Sequence, residues 1–434
     1  MSQNGSVAAE RRRGATTDGR VPMAIYCTYF GIDSHLRTTT ICALTPEDGE
    51  LRTRTFKGND YGEMAAWMAD FPQPSHGVYE SGCTGFVPAR MLTCGDTLVE
   101  PVASSKLPSS ADSRSRKNDR RDAERLARLA LAGEVSPVWV PPEQVEGLRE
   151  LAQAMDDLAC VREAARQRVN AILCRHGISW DERTPTGRLK KRWGQHFWNW
   201  LRSIDLGDAG SQAAYLAALS AAESAEVAYD ELRARAEGIA KASDLGPVID
   251  ALMCVKGVGL ASALAFAAEV GDFSRFASGR RAASYFGLAP SGGPGAEGRR
   301  LGRISRNGRA LVRRPLIEGA WVLARGNPAC RKRGGTPVPL AIREHARACS
   351  GRLLGRRREL VSRGPVLREA NTATAAEMAR MLLHVGRDVQ EAAAPEEARC
   401  GPHELRHPRT WDCAPARRSR SGPPGRRCGS AIEG

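Results

Sequence analysis

The sequence lacks the features that identify several classes of protein. Its 12 cysteines are scattered singly, with no C-x-x-C pair. This pattern favours reduced thiols over disulfides and argues against a zinc site built from closely spaced ligands. No apolar run approaches the roughly 20 residues of a membrane helix, and no hydrophobic signal core follows the basic N-terminal segment. We therefore expect a cytoplasmic protein whose partner is not a membrane.

Acidic residues are in the minority. The chain has 64 Lys and Arg against 49 Asp and Glu, which gives a formal net charge of +15 and a pI of about 9.6. Dense basic side chains gain free energy by displacing counterions from phosphates, so we predict a nucleic-acid partner. The alternative is a basic protein from an arginine-rich genome without such a partner. With 434 residues, two or three domains can form without disulfides.

The N-terminal part has the pattern of an α/β domain. Residues 1–22 form a basic leader that we predict to be disordered. Within 23–141, three runs rich in β-branched or aromatic residues predict an antiparallel meander, and strands and helices then alternate. The strand-like runs are "AIYCTYFGID", "TTTICALTP", "ELRTRTFKG", "HGVYES" and "TLVEPVA".

The rest of the chain is predicted to be mainly helical. Apolar residues recur at three- and four-residue intervals from Glu143 to His176 and again from about Gln212 to Ala242, which indicates a long antiparallel hairpin within 142–244. A glycine-punctuated, basic helical unit follows at 245–390. The tail at 391–434 is rich in Pro, Gly and Arg, and we predict it to be disordered.

Two aspartates, Asp119 and Asp122, open an apolar helix within the run "SRSRKNDRRDAERLARLAL". Taken locally, Asn118 or Asp119 would cap the helix, and Asp122 would complement its dipole. The alternative is a metal site, because Asp33 and Glu80 each follow a predicted apolar strand and lie where four carboxylates can converge.

A hard divalent cation such as Mg²⁺ prefers oxygen ligands, and two ions about 4 Å apart can hold the attacking and leaving oxygens of a phosphoryl transfer. Aspartates at positions i and i+3 of a helix share one face. The neighbouring Lys117, Arg120 and Arg121 would hold a phosphodiester or simply be solvated.

Five motifs in order resemble one known family. "YFGIDSHLRTTTICAL", "GVYESGCTGF" and "RKNDRRDAERLARL" resemble the three signatures of the DEDD-type insertion-sequence transposases, which are related to the Piv-type DNA invertases. "CVKGVGLASALAFAAEVGDFSRFASGRRAASYFGLAPS" and "RRLGRISRNGRALVRRPLIEGAW" resemble the C-terminal transposase domain of that family. The resemblance covers roughly Tyr29 to Trp321.

The resemblance implies both fold and mechanism. It implies an α/β protein with a RuvC-like N-terminal domain of the ribonuclease H fold, the helical hairpin and a mainly α C-terminal transposase domain. It further implies Mg²⁺ binding, a serine that links covalently to DNA, a structured guide RNA, and a homo-oligomer, a dimer or tetramer, that acts on element ends and target DNA. Carried over by motif, the catalytic and metal-binding tetrad is Asp33, Glu80, Asp119 and Asp122.

The serine that the family pattern predicts is not present at its expected position. The run "GRRLGRIS" sets the register and places Gly295 and Ala296 where the family has Ser-Gly. Ser291, four residues earlier, is the candidate nucleophile, and Ser305 is a poorer one. Pro315 inside the expected final helix, together with the unusual tail, is consistent with a degenerate copy.

Two basic regions are predicted to bind nucleic acid. The "KGVG" turn resembles a helix-hairpin-helix, in which Lys256, Gly257 and Gly259 would bring backbone N–H groups to a phosphate, and a plain helix-to-helix turn is the alternative. A basic strip, with a solvated charged face as the alternative reading, consists of Arg299, Arg300, Arg303, Arg306, Arg309, Arg313 and Arg314.

Three hypotheses remain open. The chain is an active recombinase with a displaced serine, a degenerate member that binds nucleic acid without recombining it, or a RuvC-like nuclease that hydrolyses DNA and needs no serine. A covalent intermediate conserves the energy of the phosphodiester bond, which is consistent with the absence of a G-x-x-x-x-G-K-[ST] loop.

Overall fold

The computed structural model describes residues 26–108, 119–290, 304–306, 308–323, 338–364 and 366–393. The predicted leader and all of the predicted tail beyond residue 393 lie outside these ranges. The chain divides into two compact units. The first extends to Ile249 and includes Gly259–Asp272 and Arg309–Pro315; the second comprises Asp250–Val258, Phe273–Gly308 and the chain from Leu316 onward. The boundaries proposed from the sequence stay predictions.

A five-stranded sheet forms the N-terminal part of the first unit. Its strands are β1 (Thr28–Ser34), β2 (Thr38–Thr45), β3 (Glu50–Lys57), β4 (Ser75–Glu80) and β5 (Thr97–Val102), in the order β3-β2-β1-β4-β5. The first three strands pair antiparallel, as the meander predicted, whereas β4 runs parallel to both β1 and β5. The central β1 is therefore hydrogen-bonded on both sides.

Helices cover both faces of this sheet. On one face, α1 (Tyr61–Ala69) and α2 (Val87–Leu92) contribute to a core with Phe30, Ile32 and Tyr79. On the other face, α3 (Asp119–Leu131) packs through Leu126 and Ala130 against a second core. Because successive strand residues point to opposite faces, the alternating apolar residues of β1 serve both cores, and the predicted α/β arrangement is present.

Two long helices form the predicted hairpin. They are α4 (Glu143–Arg175) and α6 (Ala209–Ala242), joined through the short α5 (Gln195–Arg202). Arg166 of α4 pairs with Glu226 of α6. The tryptophans between the long helices, among them Trp180 and Trp193, pack edge-on or tilted against Phe197, so these rings contribute to a core.

The chain then continues with α7 (Gly246–Met253) and α8 (Leu260–Val270). Nearly the whole of α8 is buried. Arg149 of α4, also buried, donates hydrogen bonds to the carbonyl oxygens of Ala268 and Glu269, each at 2.8 Å. These two hydrogen bonds compensate the burial of the guanidinium and connect the hairpin to α8 within the first unit.

The C-terminal region is mostly helical. It contains α9 (Gly279–Tyr285), α10 (Ala310–Leu323), α11 (Leu340–Ser362) and α12 (Leu367–Ala393). The expected final helix forms around Pro315, which lies inside α10. No helix in the described ranges is both long enough and apolar enough to span a membrane.

In the second unit, α11 and α12 are joined by an ion pair. Nδ1 of His345 lies 2.6 Å from Oδ2 of Asp388. This hydrogen bond, with a smaller contribution from Cys349, raises the pKa of His345 to about 10. The imidazole is therefore protonated at neutral pH and contributes to helix packing.

Candidate active site

The site begins with a close approach of α3 to the central strand. A Cβ placed on Gly31 of β1 would lie 1.9 Å from the carbonyl oxygen of Ala123 and 2.4 Å from the backbone nitrogen of Ala127. Only a residue without a Cβ allows this contact. Asp33, two residues farther along β1, is on the same face of the sheet, beside the first turn of α3.

Three side chains converge at this end of β1. One ligand atom from each of Asp33, His35 and Asp119 lies within 4.8 Å of the other two. Nε2 of His35 is 3.2 Å from Oδ2 of Asp33 and 3.8 Å from Oδ1 of Asp119. Asp122 lies in the same first turn of α3.

The electrostatics of Asp33 reflect this convergence. Burial raises the pKa of its carboxyl group; His35 opposes the rise, and the charges of Asp119 and Asp122 add to it. Oδ2 of Asp33 is buried, and the polar atom beside it is Nε2 of His35 at 3.2 Å. A buried carboxylate is costly unless it is well paired, and a cation bound between Asp33 and Asp119 would compensate both charges, so these residues fit a divalent metal.

Glu80 has a less direct relation to this cluster. It ends β4, immediately after Tyr79, which is paired with Ile32 of β1. The parallel register therefore places Glu80 level with Asp33 on the same sheet face. Its side chain is exposed, and the group of ligand atoms within 4.8 Å found among the described residues includes neither Glu80 nor Asp122. The sequence did not lead us to His35; its signal was its position two residues after Asp33, because such residues share a face at the end of a strand.

The predicted interaction with the helix dipole and the predicted metal site of α3 are compatible, whereas capping by Asn118 or Asp119 stays a prediction. Asp119 and Asp122 both lie in the first turn of the helix, where negative charge is stabilised by the helix dipole. Asn118 and Lys117 lie outside the described residues. Arg120 and Arg121 are exposed on the same turn. Binding of a phosphate by Arg121 stays a prediction.

The "KGVG" turn is held by protein contacts. Gly257 has a φ of 91°, and a Cβ at this position would lie 2.6 Å from the carbonyl oxygen of Gly319. The Lys256 N–H donates to Oγ of Ser350 at 3.0 Å, and the Gly259 N–H donates to Oγ of Ser262 at 2.9 Å. Tight packing thus explains the glycine at 257, and phosphate binding by this turn stays a prediction.

Three of the described members of the basic strip have an acidic partner or a backbone hydrogen bond. Arg309 lies 3.5 Å from Oε2 of the buried Glu269, and Arg314 forms an ion pair with Asp156 of α4. The Arg306 N–H donates to the carbonyl oxygen of Gly287. Arg313 also lies in the described part of α10. Outside the described residues lie Ser291, Gly295, Ala296, Arg299, Arg300 and Arg303.

Comparison with known proteins identifies the family. Residues 30–177 match the DEDD transposase domain of the IS110 type, and residues 249–334 match the model described as Transposase IS116/IS110/IS902 family. A protein of Sinorhizobium fredii (strain NBRC 101917 / NGR234) described as a transposase, y4qE, is 32% identical over 386 residues, covering 87% of this chain and 93% of that protein. The chain belongs to the IS116/IS110/IS902 transposase family.

Other relatives in this transposase family are more distant. The transposase for insertion sequence element IS1533 of Leptospira borgpetersenii is 26% identical over 58% of this chain and 72% of its own length. The transposase for insertion sequence element IS1111A of Coxiella burnetii is 27% identical over 49% of this chain and 56% of its own length. The DEDD domain of the family is RuvC-like, as expected from the motifs. Transposases bind DNA, and the excess of basic residues fits that partner.

Proposed function

We propose that this family member is the transposase of an insertion sequence, a site-specific recombinase that cleaves and rejoins DNA strands with Mg²⁺ as its cofactor. The convergence of Asp33 with Asp119 at the first turn of α3 carries the proposal. Asp122 and Glu80 complete the set of carboxylates that would hold the ion. A bound Mg²⁺ would supply Lewis-acid stabilisation of the phosphodiester.

The residues around the carboxylates bind and orient the DNA. Arg121 is exposed in the same helical turn as Asp122, so its guanidinium can pair with a phosphate beside the scissile bond. Gly31 keeps α3 against β1, which fixes the carboxylates on two rigid elements. Rigid support of this kind is what catalytic geometry requires.

For the covalent step we propose Ser291 as nucleophile. The hydroxyl of Ser291 loses its proton as Oγ forms a bond to the phosphorus, the bond from phosphorus to one deoxyribose oxygen breaks, and the departing oxygen takes up a proton, so no net proton is released. The reverse attack by a DNA hydroxyl rejoins the strands and releases the serine. Ser291 is proposed because it lies four residues before Gly295, which occupies the position of the family serine.

We further propose that a structured guide RNA and a second copy of the chain take part. The net charge of +15 favours binding of polyanions, which supports an RNA partner in addition to DNA. Exposed apolar residues on both helices of the hairpin support self-association: Val161, Leu216, Val227 and Ile239.

Gly295 favours a second candidate function. If no serine reaches the phosphate, the same carboxylates would serve hydrolysis of DNA by water, and the chain would be a nuclease. A chain that does neither reaction would be a degenerate member that still binds DNA or RNA.

A covalent-trapping experiment separates these functions. The protein is incubated with end DNA of its element, the flanking RNA and Mg²⁺, then denatured and examined for a protein–DNA adduct. An adduct that is lost in both Ser291→Ala and Asp122→Asn supports the recombinase. Nicked DNA without an adduct, dependent on Asp122, supports the nuclease, and binding without either product supports the degenerate member.

A further inference from the structure

An imidazole stands among the carboxylates of the candidate active site. Nε2 of His35 lies 3.2 Å from Oδ2 of Asp33 and 3.8 Å from Oδ1 of Asp119. The three ligand atoms that form the 4.8 Å cluster therefore comprise one nitrogen and two oxygens. In its neutral form, the Nε2 atom of a histidine can donate its lone pair to a metal ion.

The backbone holds His35 in this place. Its N–H donates to the carbonyl oxygen of Thr38 at 2.9 Å, which closes the turn between β1 and β2. The paired strands fix the position of Asp33, and the close approach of α3 fixes Asp119. A ligand set supported by regular elements in this way needs little rearrangement to bind an ion.

Donor chemistry predicts which ion such a set prefers. Mg²⁺ takes oxygen ligands at octahedral positions and keeps several waters. Imidazole is a ligand of first-row transition metals, and among these Mn²⁺ is the ion that also suits the carboxylate and water ligands preferred by Mg²⁺. We propose that His35 is a metal ligand of this site and gives it a preference for Mn²⁺ over Mg²⁺. The inference rests on the proposed metal site.

A different role would use the same distances. A protonated His35 would act as a counter-charge for Asp33 and Asp119 and would leave when an ion binds. The two roles have opposite consequences: removal of a ligand weakens metal binding, whereas removal of a competing positive charge leaves metal binding unchanged or strengthens it.

The test measures metal binding by the full-length protein without DNA. Mn²⁺ affinity is measured from the electron paramagnetic resonance signal of free Mn²⁺, and Mg²⁺ affinity by competition. Since loss of a second-shell partner alone weakens metal binding about 10- to 100-fold, we expect His35→Ala to weaken Mn²⁺ binding by at least about tenfold and Mg²⁺ binding by less. The matched control is His196→Ala, because His196 is exposed on α5. Circular dichroism verifies that each variant is folded.

A spectroscopic measurement on the wild-type protein does not depend on whether any variant folds. Electron spin echo modulation from a directly bound imidazole nitrogen is expected with Mn²⁺ in the wild-type protein and in His196→Ala, and is expected to disappear in His35→Ala. Wild-type protein that binds Mn²⁺ without this modulation, or His35→Ala with unchanged or tighter Mn²⁺ binding, would overturn the role of His35. Mn²⁺ binding that survives Asp33→Asn and Asp119→Asn would instead refute the metal site itself, and with it the inference.

Discussion

Gly31→Ala is the perturbation that most directly tests the architecture of the site. The added Cβ would lie 1.9 Å from the carbonyl oxygen of Ala123 and 3.0 Å from its carbonyl carbon. Normal contacts between such atoms are about 3.5 Å, so α3 must move away from β1 by about 1.5 Å. The clash is with backbone atoms, which cannot rotate away as a side chain can.

This displacement has two measurable consequences. Overpacking costs about 1–3 kcal/mol, and we expect the upper end of that range because the obstructing atoms belong to the helix backbone. The shift also moves Asp119, whose Oδ1 is 3.8 Å from His35, away from the strand. We therefore expect a free energy of unfolding lowered by about 3 kcal/mol and Mn²⁺ binding weakened by at least about tenfold.

Urea unfolding followed by circular dichroism and Mn²⁺ titration measure the two effects. The matched control is Gly77→Ala on the neighbouring β4, where the new Cβ would meet a side-chain atom, Cγ2 of Val99, at 3.0 Å. We expect a cost of about 1 kcal/mol or less there, because a side chain can adjust. If Gly31→Ala unfolds and binds Mn²⁺ like the wild-type protein, the explanation of how α3 and β1 bring Asp33 to Asp119 is refuted.

Three further predictions concern other parts of the chain. Gly147 is exposed in α4, and a Cβ built there meets no described atom within 4 Å. Gly147→Ala should therefore raise the free energy of unfolding, measured in urea, by about 1 kcal/mol, and a destabilised variant would contradict this. Because the pKa of His345 is raised to about 10 by Asp388, its stabilising effect should be complete below its unfolded pKa of about 6.5 and disappear as pH rises through 10. The difference in unfolding free energy between wild type and His345→Gln measures this effect, and a difference that persists above pH 10 would contradict it. Arg121→Ala should lower DNA affinity and reduce the salt dependence of binding by about one phosphate contact. Arg128→Ala should have a smaller effect, because Arg128 pairs with Glu124. Filter binding at several salt concentrations compares the two variants, and equal losses of affinity would refute the distinction.

The sheet and the hairpin were predictable because local patterns determine them. The strands of the α/β domain are short runs rich in β-branched or aromatic residues between turn signals. The two long helices carry their apolar residues at helical spacing over some thirty positions. The approach of Asp33 to Asp119 was also predictable, since both lie where a strand ends or a helix begins. His35 was missed because its only signal is its position two residues after Asp33, which is weak for a single histidine beyond the end of a strand.

Contacts between distant residues were not predictable from one sequence. Seven arginines in a short stretch indicate a basic surface, but the sequence does not reveal that Arg314 pairs with Asp156, which lies 158 positions earlier. In the same way, the glycine at 257 suggested access for a phosphate, whereas the structure places Gly319 against it. Arginines and glycines can be read from the sequence, but the residues that contact them depend on the fold.

The turn that leads into the edge strand β3 is a position where a reporter can be inserted. The turn between β2 and β3 lies at the end of the sheet opposite Asp33, since Tyr29 at the start of β1 is paired with Leu44 near the end of β2. At this turn Gly49 has a φ of 68°, and a Cβ built there meets no described atom within 4 Å. A short epitope or a fluorophore-binding peptide inserted there would leave the metal-binding end of β1 undisturbed. Assembly of the protein on DNA could then be followed in real time with its carboxylates intact.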